Sequence, residues 1–196
     1  EIHIQFILTI LQRVNMIFET VDIKDVVVIR PKTFPDSRGY CRELTRTNLL
    51  AENGIDDKFV QLNNSFSKQG VIRGMHYQLK NPQSKLVCAT YGEIYDVIID
   101  IRKSSPTFGK WFGVKLSAER GELLYVPRGF AHGFQVLSDC ASVVYQCGDY
   151  FTPGDEYGIN CYSSSLAINW ENIPAVISEK DKVLPDFSHV DQEHFL

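Results

Sequence analysis

The chain lacks the cysteine patterns and nucleotide-binding loops that mark many enzyme classes. Its cysteines are odd in number and no two stand in a C-x-x-C arrangement: Cys41, Cys88, Cys140, Cys147 and Cys161. We therefore expect neither a disulfide framework nor a zinc knuckle, and we predict a reducing cytoplasm as the compartment. No serine stands in G-x-S-x-G, and there is no phosphate loop or dinucleotide fingerprint.

A strong excess of charge is also missing. The chain has 20 Lys and Arg against 24 Asp and Glu, for a formal net charge of −4, and the basic residues are dispersed. This balance disfavours general nucleic-acid binding. It still allows a local basic pocket for a phosphorylated small molecule.

No apolar run is long enough to span a membrane, so we expect no membrane partner. The longest candidate is residues 1–15, EIHIQFILTILQRVN, which lacks a basic start and a small-residue cleavage site. These residues could be a strand, because His3, Gln5 and Thr9 interrupt the apolar residues, or an extension ahead of Met16. We adopt the extension, which leaves residues 16–196 as one predicted domain.

What the sequence does contain is a series of short β-type runs separated by turn residues. The runs are VVVIR (26–30), KFVQLN (58–63), GVIRGMHYQ (70–78), KLVCATY (85–91), EIYDVIIDI (93–101), KWFGVKL (110–116), ELLYVP (122–127), GFQVL (133–137) and SVVYQC (142–147). Roughly ten strands at this spacing predict an all-β fold, a two-sheet antiparallel sandwich or barrel. A few short helices complete it, one over residues 46–53 and one after Ser178 as N-cap.

Three basic side chains, Arg73, His76 and Lys85, occur within the β-type stretch RGMHYQLKNPQSKLV. Strand residues alternate between faces, so Arg73 and His76 should point in opposite directions in a regular strand. Gly74 would permit a bulge between them. We therefore predict a local irregularity that brings both side chains to one pocket.

Candidate metal ligands are few. His76 stands alone in M-H-Y, without the H-x-H pair and downstream Glu typical of cupin metal sites, and His132 is the only other histidine in the strand region. Two histidines without an obvious third ligand make a metal site unexpected. A metal-dependent cupin oxygenase or isomerase stays open as an alternative.

Four residues together indicate proton chemistry beside a carbonyl group. Taken singly, His76 reads as a structural histidine, Lys85 as a surface charge, Tyr145 as a core aromatic and Asp181 as an acid in the first turn of a helix. Together they provide a base, a carboxylate to orient it, a cation for an enolate oxygen and a phenol to return a proton. Spacing alone does not bring them together.

Several motifs, in their residues and their order along the chain, resemble those of the dTDP-4-dehydrorhamnose 3,5-epimerase family. The resemblance runs from about Val21 to Asp186 and rests on FPDSRGYCRE (34–43), FVQLNNS (59–65), VIRGMHYQ (71–78), SKLV (84–87), GEIYDVIIDIRKSSPTFGKW (92–111), LYVPRGFAHGFQVLSD (124–139), DYFTP (149–153) and ISEKD (177–181).

This resemblance implies a cupin-like jelly roll (double-stranded β-helix) that needs no cofactor or metal and works as a homodimer. Its implied reaction converts dTDP-4-dehydro-6-deoxy-D-glucose to dTDP-4-dehydro-L-rhamnose by proton removal and return at C3 and C5, in dTDP-L-rhamnose or related deoxysugar biosynthesis. The catalytic residues carried over are His76 as base, Asp181 as its partner, Tyr145 as acid and Lys85 as cation. The substrate-binding residues carried over are Arg73, Arg38, Phe34, Glu43, Gln61, Asn63, His132 and Asp96, with Asp96 expected near the base.

Some positions depart from the family pattern. Gln146 stands where relatives often carry Lys, and Leu62 stands where a polar or acidic residue is common. These departures keep open an epimerase acting at C3 or C5 alone. A separate alternative is a non-catalytic jelly roll that only binds a sugar nucleotide.

Overall fold

The computed structural model describes residues 16–196, and the proposed extension at residues 1–15 lies outside this range. The chain is dominated by β-strands: β1 (Met16–Thr20), β2 (Val27–Pro31), β3 (Thr33–Asp36), β4 (Gly39–Arg42), β5 (Gln61–Lys68), β6 (Val71–Gln78), β7 (Lys85–Tyr91), β8 (Glu93–Asp100), β9 (Trp111–Ser117), β10 (Leu123–Val126), β11 (Phe130–Val136), β12 (Cys140–Cys147), β13 (Glu156–Gly158) and β14 (Val176–Ile177). Helices α1 (Thr47–Glu52) and α2 (Glu179–Lys182) are short, and two 3₁₀ turns follow at Phe187–His189 and Gln192–His194.

The strands form two large sheets and one hairpin. The first sheet has the order β1-β2-β10-β7-β12-β5, and the second has the order β13-β6-β11-β8-β9. The pairs are antiparallel except for β14, which adds to β6 in parallel, while β3 and β4 form a separate hairpin. The predicted two-sheet, antiparallel all-β architecture is confirmed.

Strand alternation builds three apolar clusters. Residues of both sheets, including Val87, Ile98 and Leu124, pack between the sheets. A second cluster covers the outer face of the second sheet with segments from the C-terminal third, including Ile159 and Phe195. The third packs α1 and the segment after it, including Leu50 and Ile55, against the outer face of the first sheet. Both sheets are thus covered on two faces, which explains their near-continuous apolar runs.

The predicted strands and helices are found with small shifts, except for β5. The run at residues 58–63 predicts a strand, but β5 begins only at Gln61 and continues to Lys68. Its exposed positions include Leu62 and Phe66, whereas its inward positions are polar, which reverses the usual alternation. Strands β1, β3, β4, β13 and β14 were not predicted; each has at most five residues.

The predicted start of α2 is confirmed. The Ser178 side chain accepts a hydrogen bond from the backbone N–H of Asp181 at 3.1 Å, as an N-cap does. Within residues 16–196, no helix combines the length and apolar character needed to cross a lipid bilayer.

Candidate active site

The space between the two sheets is apolar at one end and polar at the other. On the inner face of β7, Val87 and Ala89 join the core, whereas Lys85 lines a cavity of about 510 Å³. On β12, Ala141 and Val143 are core residues and Tyr145 lines the same cavity. Period-two alternation therefore places Lys85 and Tyr145 inside the sandwich, where the apolar filling stops.

The irregularity predicted around Gly74 is present. His76 pairs with His132 and Arg73 pairs with Phe134, so β6 advances three residues where β11 advances two. Gly74 has φ +117°, and a Cβ there would lie 2.6 Å from the Gly133 Cα atom, so only glycine fits. Arg73 and His76 consequently both line the cavity, and the prediction that they share a pocket is confirmed.

His76 and Asp181 form a close pair. The Nε2 atom of His76 lies 2.7 Å from Oδ1 of Asp181, whose side chain is 5% exposed. Strand β6 supplies the histidine, and the capped first turn of α2 supplies the carboxylate. A carboxylate at Nε2 fixes the imidazole with its proton on that nitrogen, which leaves the lone pair on Nδ1.

The ammonium group of Lys85 lies in a desolvated position. Burial lowers the pKa of Lys85, and the nearby Cys147, Asp96 and Glu156 oppose this shift only in part. The residue as a whole keeps some exposed surface, so desolvation acts mainly on its charged end. A cation with little water around it interacts strongly with negative charge that develops on a bound substrate.

Tyr145 faces the same cavity with a protonated phenol. Burial raises its pKa, Cys147 adds to the shift, and the Arg73 guanidinium opposes it. The phenol therefore carries its proton at neutral pH and has one to donate.

A second histidine–carboxylate pair lies beside the first. Nε2 of His132 is 3.0 Å from both carboxylate oxygens of Asp96, and both side chains are buried. The hydrogen-bond partner of Asp96 is thus His132, which lies opposite His76 in the sheet, and not His76 itself.

Gln61 and Asn63 project from the inner face of β5 into an adjoining cavity of about 290 Å³, which also borders His76, Lys85 and Tyr145. The Gln61 amide nitrogen donates to Asn63 Oδ1 at 3.1 Å. The structure therefore brings nine of the twelve predicted site residues into one region: Asn63, Gln61, Arg73, His76, Lys85, Asp96, His132, Tyr145 and Asp181.

The other three predicted residues, Phe34, Arg38 and Glu43, lie elsewhere. Phe34 and Arg38 lie on the exposed hairpin formed by β3 and β4, and Glu43 directly follows it. Arg38 pairs with Asp36 at 2.7 Å and its side chain is 87% exposed. In the described part of the chain, none of the three lines a cavity that borders His76.

Two charged residues beside His76 were not predicted. Glu156 Oε1 lies 3.8 Å from His76 Nδ1, and its other carboxylate oxygen accepts a hydrogen bond from the Lys180 ammonium. Strand β13 carries Glu156 next to β6, although its three residues give no strand signal in the sequence. Lys180 directly precedes Asp181 in the ISEKD motif, which was the available signal.

A metal centre would need a cluster of suitable ligands. Over residues 16–196, no group of three or more His, Cys, Asp or Glu side chains is arranged to hold a metal ion.

Comparison with known proteins identifies the family. The family model for dTDP-4-dehydrorhamnose 3,5-epimerase matches residues 20–189. The chain belongs to this family. It is 45% identical over 177 residues to the dTDP-4-dehydrorhamnose 3,5-epimerase of Shigella flexneri, covering 89% of this chain and 97% of that protein. The Neisseria gonorrhoeae enzyme of the same name is 46% identical over 160 residues, which cover 81% of this chain but only 49% of that protein.

Solved structures of related epimerases support the same family assignment. A 3,5-epimerase from Legionella pneumophila, in complex with dTDP-4-keto-L-rhamnose, has a TM-score of 0.88 at 41% identity over 92% of this chain and 97% of that one. A 3'-monoepimerase from Streptomyces bikiniensis, in complex with dTDP-quinovose, has a TM-score of 0.81 at 31% identity over 87% of each chain. The expected family, its cupin-like jelly roll and its enzyme class are confirmed, and this chain is an epimerase of the family.

Proposed function

We propose that this epimerase converts dTDP-4-dehydro-6-deoxy-D-glucose to dTDP-4-dehydro-L-rhamnose, in dTDP-L-rhamnose or a related deoxysugar route, with residues 16–196 acting as one domain. The observation that carries the proposal is the pair formed by His76 and Asp181 at 2.7 Å, in a cavity that Lys85 and Tyr145 also line. A base, a cation and a protonated phenol around one cavity are the groups required to move protons next to a ketone.

The first step is removal of a hydrogen from a carbon beside the C4 ketone. The lone pair on Nδ1 of His76 accepts the proton, and the Asp181 carboxylate at Nε2 stabilises the imidazolium that forms. Negative charge moves from the carbon to the C4 oxygen. The Lys85 ammonium stabilises this enolate, and its desolvated position strengthens the interaction.

The second step returns a proton to the opposite face of the same carbon. The Tyr145 phenol is the donor, since burial keeps it protonated. Loss from one face and return to the other inverts the centre. C3 and C5 both flank the ketone, so one base and one acid serve both carbons if the sugar shifts between the two steps.

Inversion at one carbon alone is the second candidate, because a 3'-monoepimerase shares the fold. That protein is 31% identical to this chain, whereas the 3,5-epimerases named above are 41–46% identical, which favours inversion at both carbons. Proton NMR of the product distinguishes the two, because coupling constants report the configuration at C3 and C5 separately. A product inverted at both carbons supports the proposal, and one inverted at a single carbon contradicts it.

The remaining predicted substrate-binding residues lie away from the pocket of their own chain. Phe34 and Arg38 are exposed and lie outside the cavities of their own chain, as does Glu43. We therefore propose a homodimer in which this hairpin contacts the nucleotide end of the substrate in the partner's pocket, where an arginine suits a phosphate.

The variant Arg38→Ala tests this assembly. It should raise KM for the dTDP-sugar with little change in kcat, while Lys110→Ala, an exposed lysine outside the hairpin, should leave KM unchanged. Light scattering should give twice the monomer mass. A fully active monomer at micromolar concentration would contradict the proposal.

We place the enzyme in the cytoplasm. The cysteines all lie within residues 16–196 and none of them forms a disulfide there, which suits a reducing compartment.

A further inference from the structure

His76 borders a cavity that the catalytic scheme above does not use. In addition to the two cavities already described, it lines a third of about 400 Å³ on the side of β13 and the C-terminal segment. We call this the rear cavity. It is also lined by Tyr77, Glu156, Lys180, Pro185, His189 and Asp191.

The rear cavity connects the base, but not the acid, to a separate part of the surface. Its wall includes Pro185, His189 and Asp191, which are all exposed. Among the residues described, Lys85 and Tyr145 line the first two cavities but do not border this one. A sugar bound in the first cavity would therefore leave the rear cavity beside His76 open.

Glu156 lies between the rear cavity and the second cavity, where it can receive a proton from His76. Its Oε1 atom lies 3.8 Å from Nδ1 of His76, which a small rotation of the side chain would shorten to a hydrogen bond. Its other oxygen accepts from Lys180, which also lines the rear cavity. The carboxylate thus connects the base to the solvent-facing wall.

Two inversions in one binding event require such a connection. After the first, His76 carries the proton taken from the sugar and Tyr145 has lost its own. His76 must release its proton before it can act on the second carbon. The sugar carbon lies at Nδ1 during the first step and must move off that nitrogen before Glu156 can approach it.

We propose that the rear cavity, with Glu156 as proton acceptor, discharges His76 between the two inversions. This inference rests on the proposed function. As the sugar shifts, the proton on Nδ1 moves to the Glu156 carboxylate and then to water, and the Tyr145 phenolate takes a proton from water. One proton leaves and one enters, so the enzyme is restored without a co-reactant.

The test is a single-turnover experiment in D₂O with dTDP-4-dehydro-6-deoxy-D-glucose and enzyme in excess. Mass spectrometry of quenched samples counts molecules with one and with two deuterium atoms. The variant Glu156→Gln keeps the size of the side chain but removes the acceptor. Glu179→Gln is the matched control, because Glu179 lies beside Lys180 in α2 with a side chain that is 90% exposed.

In Glu156→Gln we expect a nearly unchanged first exchange and a second exchange slowed by about tenfold or more, as for loss of a proton-transfer group. Singly labelled sugar should therefore accumulate, and Glu179→Gln should behave like the unmodified enzyme. A second variant, His189→Trp, should narrow the exposed mouth and give the same accumulation without a change at Glu156.

Equal slowing of both exchanges, or a change in KM alone, would mean that Glu156 only binds substrate and would overturn the inference. If His189→Trp leaves the ratio of singly to doubly labelled sugar unchanged, the proton does not leave through the rear cavity. The unmodified enzyme tests the proposed function itself: if it does not label both carbons, the proposed function is refuted as well. If it labels both carbons and Glu156→Gln does the same at the same rates, only this inference is refuted.

Discussion

Replacing Asp181 with asparagine tests how much the carboxylate contributes to the base. Asparagine has nearly the same size, and its amide oxygen can still accept from Nε2 of His76, which lies 2.7 Å from Asp181 Oδ1. The N-cap of α2 is unaffected, because Ser178 bonds the backbone of residue 181. The substitution therefore removes the negative charge and keeps the hydrogen bond.

The size of the effect follows from that difference. A hydrogen bond that involves a charged group contributes about 1.5–3 kcal/mol, against about 0.5–1.5 kcal/mol for a neutral one, so the change costs about 1–2 kcal/mol. This stabilisation energy is lost when the imidazolium forms in the reaction step, so the substitution lowers kcat. At about 1.4 kcal/mol per tenfold in rate, kcat should fall about 5- to 30-fold.

The assay is steady-state turnover together with deuterium exchange into the substrate, compared with Glu179→Gln on the same helix. Asp181→Asn should lower kcat and exchange in parallel and leave KM nearly unchanged. An unchanged kcat would remove Asp181 from the mechanism. A loss as complete as that of His76→Asn would instead make the carboxylate the base.

Three further predictions concern the same site. His76→Asn should abolish both turnover and deuterium exchange at C3 and C5. Tyr145→Phe should slow inversion about 10²–10⁴-fold but slow exchange much less, because the base remains. NMR in D₂O measures inversion and exchange separately, and equal defects in the two variants would contradict these roles. Burial lowers the pKa of Lys85 from the ordinary lysine value of 10.5. Because the reaction requires the Lys85 cation, kcat/KM should begin to decline at a pH lower than 10.5 as the pH rises. Lys85→Arg, which keeps its charge, should move that decline to higher pH, and an unmoved decline would assign it to another group. Activity should survive extensive treatment with EDTA, and a loss reversed by one divalent ion would support the metal-dependent alternative.

Much of this fold could be predicted because most strands carry an apolar inner face. β7, for example, begins and ends at the predicted residues, and its alternation gives the inward direction of Lys85. β5 was misplaced because its inward residues are polar and line the site, while Leu62 and Phe66 are exposed. Function thus reverses the pattern on which strand prediction depends.

The same limits apply to the site. The position of Gly74 was enough to predict that Arg73 and His76 share a pocket, because only a bulge reconciles them with strand alternation. Glu156 could not be found in this way. It reaches His76 through a three-residue strand whose pairing is set by tertiary packing rather than by local pattern.

In the proposed mechanism, His76 and Tyr145 exchange the hydrogens on both carbons beside the ketone. Incubation of the enzyme with dTDP-4-dehydro-6-deoxy-D-glucose in D₂O, followed by NMR assignment of each deuterium, tests it directly. Deuterium should appear at both C3 and C5, and His76→Asn should label neither position. Deuterium at one carbon only, at neither, or at both with His76→Asn at the unmodified rate would contradict it.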